Sequence, residues 1–211
     1  MNIEVLNKAE SNISYRQIVE LLHESFQERL RQGLHYSCSS ITIEEYIEKT
    51  KNGVVYVAID KDTEVLAGTC TLNIFNEKSI RYGYMEFVGV AGNYKHKGVG
   101  MALLQRLRYE AKEILGFQYI LSDTSVDAVS AVSFHLKNGF RIIGLESYRS
   151  TNYWSYVFRL QLAPSILWHN SLFLKCHYWC SYAFMKVTRK IDGSDTWAGT
   201  LYKRTRHLCR N

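Results

Sequence analysis

The residues with the clearest chemical purpose lie in the run Val88-Gly89-Val90-Ala91-Gly92-Asn93-Tyr94-Lys95-His96-Lys97-Gly98-Val99-Gly100-Met101. It reads as the end of a strand, a loop rich in glycine and base, and the start of an amphipathic helix. The N–H groups at a helix N-terminus lack partners within the helix, and the helix dipole favours negative charge there, so such a turn can hold a phosphate. Gly98 and Gly100 have no side chain and would let an anion approach the backbone. Lys95 and Lys97 add positive charge, and His96 can donate a further hydrogen bond. The spacing fits neither the three-glycine dinucleotide pattern nor a P-loop, which ends in Gly-Lys-Ser or Gly-Lys-Thr. Taken alone, the segment is equally a solvated loop whose glycines serve a tight turn. A second group of interest is Glu86, which the two-residue strand period places on the same face as Tyr84, Val88 and Val90. In so apolar a strand a carboxylate is costly unless it faces a wet cleft or a partner.

The elements around these residues follow from periodicity. A strand over Ile3 to Leu6 precedes two helices, Ser14 to about Leu30 and one opened by Thr42. Val54–Asp60 and Val65–Phe75 make a hairpin, with Leu66, Cys70, Leu72 and Ile74 on one face of the second strand, and Tyr82–Val90 is the next strand. Val99, Leu103, Leu107, Ala111 and Leu115 form the stripe of one helix that Gly116 ends. Tyr119–Leu121 is a short strand, Ala128–Asn138 a helix, and Arg141–Tyr148 and Tyr153–Leu162 are the last two strands. The order predicts a mixed α/β sheet, parallel where helices cross over.

With that order in place, two segments resemble the GNAT N-acetyltransferase family. Tyr94-Lys95-His96-Lys97-Gly98-Val99-Gly100, after a Val-Gly-Val strand, is similar to its pyrophosphate-binding motif, with Lys95 where arginine or glutamine is usual. About thirty residues on, Ala131-Val132-Ser133-Phe134-His135-Leu136-Lys137-Asn138-Gly139-Phe140 resembles its second motif. The resemblance covers roughly residues 1–162, and its specific part about residues 84–145. It implies a GNAT-like fold: a mixed, mostly antiparallel sheet with one splayed parallel strand pair and flanking helices. It also implies acetyl-CoA as cosubstrate. Val88, Gly89 and Val90 would bond the pantetheine arm through their backbone, and Lys95, His96, Lys97, Gly98, Val99, Gly100 and Met101 would cradle the pyrophosphate. The expected reaction is direct attack of a primary amine in a ternary complex, without a covalent enzyme intermediate. Glu86 is the candidate base, the competing reading being an ion pair that ties its strand to a helix. His135 stands where many members have a tyrosine acid; it could donate a proton near neutral pH, or be a core histidine satisfied by a carbonyl. Ala128 stands where an asparagine is often found.

The acceptor is expected to be a small-molecule amine such as an amino sugar or amino acid, selected by the first two helices and the charged, aromatic run Phe26–Tyr36. Two alternatives stay open: acetylation of a protein N-terminus or lysine, and a non-catalytic acyl-CoA-binding interaction module.

Charge and composition bound the rest. The 211 residues carry a net charge of +6. Residues 163–211 hold eight basic and two acidic side chains, so the whole surplus sits there and the domain over 1–162 is neutral. This C-terminal extension is aromatic (Trp168, Phe173, Tyr178, Trp179, Tyr182, Phe184) and is expected to be helical from Pro164. It could pack on the domain, form a homodimer contact, or lie on a membrane surface, while nucleic acid is the less favoured partner because no binding module is present. Cys176, His177, Cys180 and His169 match no zinc spacing, so no metal is expected. Five scattered cysteines and the absence of a secretory signal point to a reducing cytoplasm.

Overall fold

The computed structural model describes residues 1–77, 80–148 and 151–163. They fall into two units: residues 1–122 with 160–163, and residues 123–159. The expected helix of the extension lies outside the described residues.

The first unit opens with β1 (Ile3–Asn7), α1 (Tyr15–Arg31) and α2 (Ile43–Thr50). Both helices start on reciprocal caps. Ser14 accepts the Gln17 N–H while the Gln17 side chain accepts the Ser14 N–H, and Thr42 and Glu45 repeat the arrangement. Each cap stabilises its helix by about 1 kcal/mol, which fixes where the chain enters it. Three strands follow, β2 (Gly53–Asp60), β3 (Val65–Glu77) and β4 (Ile80–Val90), then α3 (Val99–Tyr109) and the start of β5 (Tyr119–Ser125). The strand neighbours run β1-β2-β3-β4-β5, antiparallel except for β4–β5, which is parallel. The order and the single parallel pair are those expected of a GNAT-like sheet. The described β4–β5 ladder has only two pairs, Gly83↔Ile120 and Tyr84↔Leu121.

The helices cover opposite faces of this sheet. On one side Ile18, Leu21 and Leu22 of α1 and Tyr46 of α2 share a core cluster with Val55, Val57, Leu66 and Phe87. On the other, α3 lies close to β3 because Gly68 has no side chain: a Cβ there would stand 2.9 Å from Val99 and 3.1 Å from Leu103.

Two bulges correct the facing expected from strict alternation. Between Ala58 and Ile59 the β2–β3 register shifts, so Leu66 joins the α1–α2 cluster instead of sharing a face with Cys70 and Leu72. In β4, Thr69 pairs with Gly89 but Thr71 with Glu86, so β4 holds one extra residue, and Phe87 has φ 51°. Gly83, below the bulge, points at Phe117; Gly89, six residues later, points at Leu21 and Leu22 of α1. An even separation would keep one face in a regular strand. The bulge therefore leaves Glu86 on the face of Tyr84 and sends Val88 and Val90 to the other.

A third correction concerns α3. Its α-helix stops at Tyr109 and a π-helical turn continues over Glu110–Ile114, closed by Leu115 N–H on Glu110 O at 2.9 Å. The apolar stripe still serves one face, since Val99, Leu103, Leu107 and Ala111 are all buried.

The second unit holds the end of β5, then α4 (Val129–Lys137), β6 (Arg141–Ser147) and β7 (Trp154–Gln161), with β6 and β7 antiparallel. The end of β7 passes into the first unit, where Leu162 N–H donates to Gln118 O at 2.9 Å.

Candidate functional site

The loop between β4 and α3 is anchored at its base and open at its tip. Ala91 N–H continues the sheet by donating to Ala67 O at 2.9 Å, and Ser25 of α1 donates to Val90 O at 3.2 Å. The Tyr94 hydroxyl donates to Asp60 at 3.1 Å and lies 3.3 Å from Thr63, which ties the loop to the β2–β3 turn. Burial alone would raise the Asp60 pKa. Hydrogen bonds from Asp62 N–H, the Tyr94 hydroxyl and Asn2 N–H outweigh it and hold the carboxyl below its ordinary value.

Past Tyr94 the chain turns outward. Lys95, His96, Lys97 and Gly98 are exposed, His96 has φ 62° and Gly98 φ 87°. Lys97 reaches over the Tyr94 ring at 5.9 Å, and among the described residues neither Lys95 nor Lys97 has an ion pair. Gly98 caps α3 from the left-handed region and offers no side-chain acceptor. The first bond in the helix is Ala102 N–H to Gly98 O at 3.0 Å, so the N–H groups of Val99, Gly100 and Met101 have no acceptor within it. A Cβ added to Gly98 would meet nothing within 4 Å. The helix end thus combines open space, unpaired amides and two cations, which fits a pyrophosphate.

On β4, Glu86 is half-buried on the α1–α2 face. One partner of its carboxylate is a strand residue. Asn73 of β3, only 5% exposed, donates from Nδ2 to its Oε2 at 2.5 Å. The Asn73 Oδ1 is itself buried without a partner. Gly53 leaves the space that Asn73 fills: a Cβ at Gly53 would stand 2.4 Å from that oxygen. Sequence reasoning missed Asn73, because no motif marks it and only the strand register brings it to Glu86.

In the second unit His135 is 6% exposed. Its ring stacks on Phe158 at 4.4 Å and meets Phe140 edge-on at 5.0 Å. Nδ1 lies 2.7 Å from Ala131 O, and a carbonyl only accepts, so Nδ1 carries the proton. Burial pushes the imidazole pKa down, against the smaller upward effect of that bond. Such a ring stays neutral at pH 7.

The run Phe26–Tyr36 divides by polarity. Phe26 packs on the buried Tyr36 at 5.2 Å, while Arg31 and Glu28 pair at 3.6 Å on the surface. Its aromatics serve the core. Among the described residues no three His, Cys, Asp or Glu side chains gather as a metal site, and Cys176, His177, Cys180 and His169 lie outside them.

A family model described as Acetyltransferase (GNAT) family matches residues 15–140. Among solved structures, an acetyltransferase of the GNAT family from Staphylococcus aureus Mu50 matches 77% of this chain and 100% of its own, at TM-score 0.59 and 16% identity. A GNAT family acetyltransferase from Elizabethkingia anophelis with acetyl-CoA bound matches 76% and 99%, at 0.56 and 17%. The ribosomal-protein-S18-alanine N-acetyltransferase from Escherichia coli matches 78% and 96%, at 0.60 and 9%. These identities speak to fold alone. No curated protein matches in sequence.

Proposed function

The chain belongs to the GNAT acetyltransferase family and is by that membership an acyltransferase; we propose that it transfers an acetyl group from acetyl-CoA to a primary amine on a small molecule. The observation that carries the cosubstrate is the N-terminus of α3, where Gly98 leaves open space before the amides of Val99, Gly100 and Met101. Those amides, with Lys95, His96 and Lys97 at the rim, would hold the pyrophosphate. The backbone of Val88, Gly89 and Val90, on the edge of β4 away from β3, would bond the pantetheine arm. An N–H near Val88 or Val90 would polarise the thioester carbonyl and steady the charge that develops on its oxygen.

When bound, acetyl-CoA supplies the activated acyl carbon; the amine nitrogen bonds to it as the carbon–sulfur bond breaks and CoA leaves. An ammonium must first lose a proton. Glu86, held by Asn73 and half-buried, would receive it directly or through water. His135 is the weaker candidate for protonating the leaving sulfur, since its proton is committed to Ala131 O and its ring resists becoming a cation.

The test is calorimetry with acetyl-CoA followed by a screen of amine acceptors for CoA release, with peptide N-termini as a parallel arm. Binding plus release with small amines supports the reading. Binding with release on peptides alone would move the acceptor to protein, and binding with no release at all would leave an acyl-CoA-binding module.

A further inference from the structure

Four aromatic rings continue the Glu86 face of the sheet away from the phosphate loop. Phe75 of β3 stacks on Tyr82 of β4 with centroids 5.6 Å apart and planes at 16°, and Tyr82 stacks on Tyr119 of β5 at 5.0 Å and 16°. Tyr84 meets Phe75 edge-on at 6.2 Å and 68°. The register produces the row: Phe75 pairs with Tyr82, and Gly83 with Ile120 places Tyr82 beside Tyr119. Tyr82 and Tyr84 precede Glu86 by four and two residues, below the bulge, so they share its face. Phe75 stands two residues from Asn73 on the same side of β3.

This row is not sealed as the core is. On the same face, Phe87 and the Tyr46 of α2 that packs in its cluster are 6% and 0% exposed. Phe75 is 43% exposed, and the three tyrosines are half-buried. A cross-strand aromatic pair steadies a hairpin, which accounts for Phe75 with Tyr82. It does not account for the stack reaching Tyr119 on a parallel strand, nor for Tyr84 standing beside the Glu86 carboxylate.

We propose that this aromatic row is the acceptor platform, and that it selects a primary amine joined through a short linker to an aromatic ring. The proposal rests on the acetyltransferase reading above. The acceptor ring packs against Tyr82 and Tyr84 at the 4.5–7 Å spacing aromatic pairs prefer, while its amine reaches Glu86. An amino sugar fits less well. The stacked rings cover one another's broad faces and present edges, and the Asn73 amide is already engaged with Glu86. A sugar would meet the tyrosine hydroxyls at the ring edges but would desolvate its remaining hydroxyls against ring carbons. An aliphatic diamine would satisfy Glu86 and leave the rings uncovered.

The experiment measures CoA release by the full chain with 2-phenylethylamine, glucosamine and 1,4-diaminobutane. The expected kcat/KM for 2-phenylethylamine exceeds the other two by about tenfold or more. Tyr82→Leu and Tyr84→Leu are each expected to raise its KM about tenfold, and Tyr82→Phe and Tyr84→Phe to restore it, since the ring and not the hydroxyl is at work. Acetyl-CoA affinity, measured on every variant, reports folding independently, because the phosphate loop is at the far end of β4. Equal turnover of glucosamine or the diamine, or an unchanged KM in both leucine variants, overturns the platform and leaves acetyl transfer standing. No release with any amine overturns both.

Discussion

A carboxylate can take a proton from an amine only while it is ionised, and an amide N–H donated to it favours that form. Asn73 makes such a bond to Glu86 from a buried position, which orients the base. Glu86→Gln preserves the shape and the Asn73 contact but removes the basicity. We expect kcat/KM to fall about 100-fold at pH 7, with the gap to the parent closing at high pH as the amine sheds its proton unaided. A pH profile of CoA release checks this, and an unchanged profile would remove Glu86 from the chemistry. His135 is the contrasting case. His135→Phe keeps an aromatic ring against Phe158 and Phe140 and loses the bond to Ala131. Turnover at pH 7 is expected to stay within about twofold of the parent; a drop of about 100-fold, on the scale of a lost general acid, would restore the proton-donor role. Glu86 was legible in the sequence because it is a lone carboxylate among apolar residues. Asn73 was not: it lies 13 residues away, and nothing but the β3–β4 register pairs the two.

At the scale of elements, helix starts and strand order could be read from caps and periodicity, because those signals act within a few residues. The bulges could not. Each arises where two strands of unequal residue count must stay in register, and the extra residue at Phe87 carries no mark in its own type. The consequence is functional, since it separates the Glu86 side chain from those of Val88 and Val90, which alternation had put together. The glycine loop was the opposite case, because a left-handed cap before a helix is most easily built by glycine, which the sequence displays. Gly98→Ala separates the structural use of that residue from the binding one. With nothing within 4 Å of the new Cβ, the cost to folding is the φ 87° strain alone, about 1 kcal/mol. The methyl group would occupy the space before the Val99–Met101 amides. We expect acetyl-CoA affinity by calorimetry to fall by more than about tenfold, beyond anything that much strain explains in a chain that still unfolds cooperatively. Equal affinity in parent and variant would mean the pyrophosphate does not lie there.

At the scale of the molecule, the solved relatives match about three quarters of this chain and nearly all of their own. The family match ends at residue 140, and the strand β7 that follows ends at Gln161. Leu162 and Ala163 then both donate backbone N–H groups to Gln118 O, at 2.9 and 3.2 Å, just before β5. No helix among the described residues is long and apolar enough to cross a membrane. The net surplus of positive charge lies in residues 163–211, whereas an anionic cosubstrate needs positive charge at the phosphate loop, where Lys95 and Lys97 already supply it. We therefore propose that the catalytic domain is complete without the extension. A chain ending at Ala163 keeps both bonds to Gln118, whereas one ending at Leu162 loses the second. The Ala163 version is expected to bind acetyl-CoA and release CoA from its best amine within about threefold of the full chain, a difference of under 1 kcal/mol. Sedimentation of both versions shows what the extension adds: loss of a dimer on truncation assigns it to self-association. If the shortened chain folds and binds acetyl-CoA but no longer turns over, residues 164–211 take part in the acceptor site, and the boundary at residue 162 is wrong.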